Sequence, residues 1–369
     1  MFLSNKTREA RHRLTRQYMA EQDIDVLLVR GSSATRGAGA NFRYLADFPN
    51  INIPLVLFFF RDENRPSIML VESPFQTEKA RKYSWAQDVR RSTNFLQSVL
   101  GIIEEQGLGR VKVGTDGFDT FPLLWFQEIK KLFPDFTLLD VTPFFRKVRM
   151  YKTDEEIRLV KKSAALVDIA FKEGVKYIKP GNTEWEVIAQ MDMRLKRNGV
   201  ERSFNIISLG PDAVGYPPSG KKIPKKGMVF VELTANYGGY WAQLARVVSL
   251  GKPDRKLIDM HRVAIEARDE GLRFLKPGFT VAQSMTAMEN VVKDAGMEIR
   301  PIYGHITGID LVEDRPSPKN ETPIAPGMIL IVHPCPMLGK ASILWGETYV
   351  ITKTGNVRLN KAHDKLMVL

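Results

Sequence analysis

Residues 227–251 read GMVFVELTANYGGYWAQLARVVSLG, and the reading of this stretch decides the fold. An apolar run enters Asn236-Tyr237-Gly238-Gly239 and a second run, rich in Trp, Leu and Val, leaves it; this is the pattern of two antiparallel strands joined by a tight turn. A turn centred on Tyr237-Gly238 sets Glu232 opposite Gln243. Side chains alternate along a strand, so Phe230, Glu232 and Thr234 share a face with Trp241, Gln243 and Ala245. A carboxylate and a carboxamide on one half-buried face need polar company. On the hairpin alone, a satisfied pair on a solvated face is the simplest account.

The chain of 369 residues is long enough for two domains of ordinary size, each with its own core. Its composition, 44% hydrophobic and 26% charged, is that of a globular protein without low-complexity tracts. The N-terminal MFLSNKTREARHR lacks an apolar core of signal-peptide length. The longest apolar run, 53–60, is far short of the roughly 20 residues a spanning helix needs. A single cysteine, Cys335, forms no intrachain disulfide, which points to a reducing, cytoplasmic compartment. The formal charge of +12 is spread thinly among acids, with no basic stripe interleaved with aromatics. That excludes nucleic acid as the expected partner and leaves anionic small molecules or solubility.

Helical spacing at 7–22 is followed by a buried strand at 24–30, and by strands at 53–60 and 67–71. Helices near 77–83, 94–107 and 120–132 then alternate with strands at 110–114 and 137–141, giving an α/β domain over 1–143. It contains no Gly-rich phosphate loop. Residues 144–153 are basic and aperiodic and read as a linker; Thr153 and Glu156 then form a capping box that opens a long amphipathic helix to about residue 177.

The second domain, 154–369, carries an internal repeat. YIKPGNTEWEVIAQMDMRLKRNGVE (177–201) and FLKPGFTVAQSMTAMENVVKDAGME (274–298) share Lys-Pro-Gly-x-Thr, with Glu186 and Gln283 three residues after Thr183 and Thr280. A long helix precedes each motif and a shorter one follows it. Strands then come at 204–209, 228–234 and 240–248 in the first copy, and at 328–333, 347–352 and 357–359 in the second. Two such halves suggest a curved sheet backed by helices, with a pocket where they meet. The pseudo-equivalent segments YGHITG and PGMILIVHPCP carry His305 and His333. Both are expected to face Glu232 and Gln243, whereas His12, His261 and His363 fall on polar segments and are expected at the surface.

With these motifs in hand, the chain resembles the creatinase/prolidase/methionine-aminopeptidase family of pita-bread proteins over nearly its whole length. Asn41-Phe42-Arg43-Tyr44-Leu45, RKVRMYKTDEEI, KPGNTEWEV, KKGMVFVE, NYGGYWAQLAR, YGH, PGMILIVHP and ETYVITKTG occur in the family's order. The resemblance implies an α/β creatinase-like N-terminal domain and an α+β pita-bread C-terminal domain with a pseudo-twofold repeat. It also implies a homodimer and a small-molecule or dipeptide-like substrate.

Metallopeptidases of this family hold two divalent ions with Asp, Asp, His, Glu and Glu. Those positions fall here on Glu232, Gln243, His305, His333 and Gly346, with Glu347 expected on the other face of its strand. The family's extra catalytic His falls on Pro218, and its later His near Val312 or Glu313. A neutral amide and a glycine cannot bridge two cations, so a dinuclear centre is not expected. The cofactor expectation is therefore none, or one divalent ion held by Glu232, His305 and His333.

Creatinase, the metal-free member that hydrolyses a C–N bond, is a partial parallel. The expected function is a hydrolase or lyase on a C–N bond of a small carboxylate-bearing substrate. His305 or His333 is its acid or base, with Glu232 orienting or tuning that ring. Gln243, Arg246, Arg43, Tyr216 and Trp345 are the expected substrate contacts. A mononuclear peptidase-like hydrolase and a ligand-binding protein without catalysis are the alternatives.

Overall fold

The structure, a computed structural model, describes residues 3–31, 39–49, 54–213 and 217–369. It resolves into two compact units, Met1–Arg149 and Met150–Leu369.

The first unit runs α1 (Asn5–Glu21), β1 (Val26–Gly31), α2 (Ala40–Ala46), β2 (Leu55–Phe60), β3 (Ile68–Val71), α3 (Pro74–Tyr83), β4 (Asp88–Arg91), α4 (Phe95–Glu105), β5 (Lys112–Thr115), α5 (Leu123–Leu132), β6 (Thr137–Asp140) and α6 (Thr142–Met150). Its sheet has the order β4-β3-β2-β1-β5-β6. β1 and β2 lie at its centre, and their continuous apolar runs follow from burial on both faces. Two short elements, α2 and β4, were not expected. Residues 142–150 are helical rather than an aperiodic linker: Phe145 is fully buried, and that anchor holds a turn of helix that charge patterning conceals. His12 is also buried, contrary to its expected place at the surface. Its Nε2–H donates to Leu45 O at 2.8 Å, and burial lowers its pKa to about 4.

The second unit continues with α7 (Asp154–Gly174), α8 (Glu184–Arg197), β7 (Arg202–Leu209), β8 (Gly227–Tyr237), β9 (Tyr240–Leu250), α9 (Arg255–Phe274), α10 (Val281–Asp294), β10 (Glu298–Ile299), β11 (Gly304–Ile306), β12 (Ile329–Val332), β13 (Pro336–Leu338), β14 (Ala341–Ser342), β15 (Gly346–Ile351), β16 (Asn356–Arg358) and β17 (Met367–Val368). Its main sheet has the order β11-β12-β15-β9-β8-β7. Thus three strands from each half meet at β9 and β15, where Ala245 pairs with Gly346 and Leu244 with Glu347. The capping boxes at Thr153, Thr183 and Thr280 all form.

The duplication extends to packing. Gly174 of α7 lies against Met191 of α8, and Gly271 of α9 lies against Met288 of α10; a Cβ at Gly174 would sit 2.1 Å from Met191 Cγ. Each helix pair needs that missing side chain to close. No helix is long and apolar enough to cross a membrane among the described residues.

Candidate active site

The β8–β9 turn is Gly238-Gly239, with φ of 60° and 92°, conformations that suit glycine. Tyr237 therefore pairs with Tyr240, Glu232 faces Ala245, and Gln243 faces Thr234. This corrects the expected opposition of Glu232 and Gln243. The correction is a shift of two residues, so each side chain keeps its face, and the Gln243 amide still hydrogen-bonds the Glu232 carboxylate from the diagonal position.

Two imidazoles reach the same amide. His305 stands on β11 opposite Ile331, and His333 follows β12, where its backbone N–H donates to Tyr303 O at 3.1 Å. Gly304 makes this approach possible: its φ is +104°, and a Cβ there would lie 1.8 Å from Ile331 O. The Nε2 atoms of His305 and His333 lie 3.1 and 3.0 Å from Gln243 Oε1. An amide oxygen only accepts, so both Nε2 atoms carry their protons. The Gln243 NH2 group is then turned to Glu232. The rings meet edge to face, with centroids 5.8 Å apart. Thr348, which sequence reasoning missed, locks the Gln243 backbone: its Oγ1 accepts from Gln243 N and donates to Gln243 O, both at 2.9 Å. Every residue of β15 is buried, so burial gives no signal for this role.

The electrostatics divide the cluster. Burial raises the Glu232 pKa to about 7, against a smaller opposing effect of the Gln243 hydrogen bond. Burial, and next the neighbouring His305, lower the His333 pKa to about 3, so that ring is neutral throughout the physiological range. His333 Nδ1 has no hydrogen-bond partner among the described residues. The Cα of Gly346 faces the same ring: a Cβ there would lie 2.8 Å from His333 Cδ2 and 2.9 Å from its Nε2. His333 thus fills the space a side chain at 346 would enter. Near Trp241, whose backbone N–H donates to Gly308 O at 3.0 Å, Lys152 Nζ and Glu313 Oε1 both border Gly308.

Other expected contacts lie elsewhere. Arg246 projects from the opposite face of β9, where it pairs with buried Glu347 and donates to Ala245 O and Gly346 O at 2.9 and 3.2 Å. Trp345 is buried on that side as well, between the Arg246 guanidinium at 4.1 Å and His261 at 4.7 Å. Neither joins the Glu232 cluster, because both are one residue out of phase with its face. Glu347 is on the far face as expected, also held by Arg268, Arg358 and the Tyr349 hydroxyl. Arg43 is buried in α2 of the first unit. Tyr216 lies outside the described residues.

Residues 11–151 match the creatinase/prolidase N-terminal domain, and residues 158–353 match metallopeptidase family M24. An Xaa-Pro dipeptidase of Pyrococcus horikoshii is 27% identical over 258 residues, covering 67% of this chain and 73% of the relative. The prolidase structure from the same organism superposes with a TM-score of 0.85 at 22% identity, covering 97% of this chain and all of that one. An X-Pro aminopeptidase structure from Thermotoga maritima gives 0.87 at 22% identity, covering 97% and 99%. The two matches fall one on each unit: the chain belongs to metallopeptidase family M24, with a creatinase/prolidase N-terminal domain.

Proposed function

We propose that the chain hydrolyses a C–N bond in a small, dipeptide-like or otherwise carboxylate-bearing substrate, and does so without a pair of divalent ions. The reading rests on Glu232, a buried carboxyl held near neutrality at the centre of a hydrogen-bonded amide–imidazole cluster. The substrate class comes from the relatives, among them the Pyrococcus Xaa-Pro dipeptidase. Arg246 lends it no support from the far face.

The family implies divalent metal, and the donor chemistry here argues against two ions. Of the five positions only Glu232 is a carboxylate; Gln243 is neutral, and Gly346 has neither a side chain nor room for one beside His333. Mutual repulsion of paired dications requires bridging carboxylates. The one-ion arrangement of Glu232, His305 and His333 is disfavoured too. Both Nε2 atoms point at Gln243 Oε1, so an ion held by the two rings would have to displace that amide oxygen. Among the described residues no three His, Cys, Asp or Glu groups are placed to hold an ion.

In this reading Glu232 moves the proton: as carboxylate it takes one from the attacking water, and as acid it returns one to the departing nitrogen. The expected roles are thereby exchanged. A ring with a pKa near 3 is a poor base, so His333 serves as a neutral donor that fixes Gln243. Gln243, engaged with three partners, positions Glu232 and does not bind substrate. His305 is the more exposed of the two rings.

The test is a screen of Xaa-Pro, N-acyl and amidino compounds in the presence of chelator. kcat/KM should rise with pH through about 7, and Glu232→Gln should lose about 100-fold or more. Activity that requires added metal, or a fully active Glu232→Gln, contradicts the proposal. Turnover of none of the compounds, together with thermal stabilisation by one of them, favours binding without chemistry. We further propose a homodimer, on family resemblance, in a reducing compartment, which the buried, free Cys335 supports; light scattering tests the first.

A further inference from the structure

Behind the hairpin, on the side of the sheet away from Glu232, a cavity of about 460 Å³ opens between α7, β9 and the C-terminal segment 361–367. Its walls are chiefly apolar, with Phe171 and Val175 on one side and Met367 on the other. Its volume lies in the range of small-ligand sites, which combine an apolar lining with a few placed polar groups.

The polar groups here are cationic or donate. Arg246 and Trp345 line the cavity, and each has a buried N–H, Nε and Nε1 respectively, with no acceptor among the described residues. Buried donors are nearly always satisfied, so two orphans on residues of one cavity point to an acceptor supplied from outside. Lys361 and Lys365 stand at the exposed rim, and neither ammonium is paired among the described residues. The one carboxylate in the lining, Asp168, is already engaged by Lys361 N at 2.6 Å and Asn360 Nδ2 at 3.2 Å. The cavity therefore has an apolar interior, two rim lysines without an ion-pair partner among the described residues, and unfilled donors.

We propose that this cavity binds a small amphipathic carboxylate, a short aliphatic or arylalkyl acid, at a site separate from the Glu232 cluster. The hydrocarbon portion packs between Phe171, Val175 and Met367, and the carboxylate answers the lysines and the donors of Arg246 and Trp345. A cationic amphiphile of equal length meets the wrong charge, and acetate lacks the apolar contact.

Isothermal titration of the full chain with hexanoate and 3-phenylpropanoate, against acetate and hexylammonium, tests the site. Saturable one-site binding of the two acids is expected, with the controls weaker by about tenfold or more. The exposed double variant Lys361→Glu/Lys365→Glu should weaken the acids about tenfold, Ala362→Trp should block them by filling the cavity, and His305→Ala should leave them unchanged. The proposal is overturned if neither acid saturates, if hexylammonium binds as well, or if binding survives the charge reversal. Loss of acid binding in His305→Ala also overturns it, by moving the ligand to the other face of the sheet.

Discussion

A carboxyl group with only a few per cent of its surface in water is costly to ionise, and Glu232 is such a group. Its raised pKa means that the folded chain holds this proton more tightly than the unfolded chain. Its contribution to stability is thus complete below the unfolded value near 4.5 and is lost as pH rises through about 7. Glu232→Gln should be close to wild type at pH 5 and more stable at pH 8, by up to about 3 kcal/mol. Urea unfolding at the two pH values checks this, and an equal effect at both removes the basis for Glu232 as the proton carrier. Glu347 is a buried carboxylate matched by Arg246, Arg268 and Arg358. Glu347→Gln leaves those cations short of a counter-charge and should destabilise the chain by about 3 kcal/mol, measurable by the same unfolding. The face of Glu232 was legible from the alternation of the hairpin because an error of two in register changes no face. That same alternation places Arg246 on the face of the strand away from Gln243, where the structure has it. Glycine 346 carried no such signal, since only the structure brings His333 against its Cα.

The helix pairs show what local sequence does specify. Each Lys-Pro-Gly-x-Thr motif ends one helix and caps the next, and Thr183 and Thr280 make reciprocal bonds with Glu186 and Gln283. Because the two caps are equivalent, Thr183→Ala and Thr280→Ala should each cost about 1 kcal/mol, as read from paired denaturation curves. A large disparity between them argues against two equivalent copies. The same motifs made the duplication legible, and the Gly174–Met191 and Gly271–Met288 contacts extend it into the core. Helices α2 and α6 are not legible in the sequence: one is short, and the buried face of the other, Phe145, Arg149 and Met150 with Val141 just before it, is interrupted by basic residues. Asn-Tyr-Gly-Gly offers two adjacent turn positions, and only the ladder on both sides selects Gly238-Gly239.

At the scale of the molecule, the chain has the M24 frame, and we propose that its metal-ligand positions hold one carboxylate, one amide, two imidazoles and a glycine. The frame was legible because hydrophobic pattern, caps and turns repeat across the chain. The chemistry was less so, because it depends on which nitrogen meets which oxygen across strands distant in sequence. Both imidazoles converging on Gln243 Oε1 is the arrangement from which the rest of the account follows. The direct test is metal stoichiometry by elemental analysis, after incubation of the purified chain with excess Mn²⁺, Co²⁺ or Zn²⁺ and removal of the free ions. The account predicts well below one ion retained per chain; one or two ions per chain contradict it.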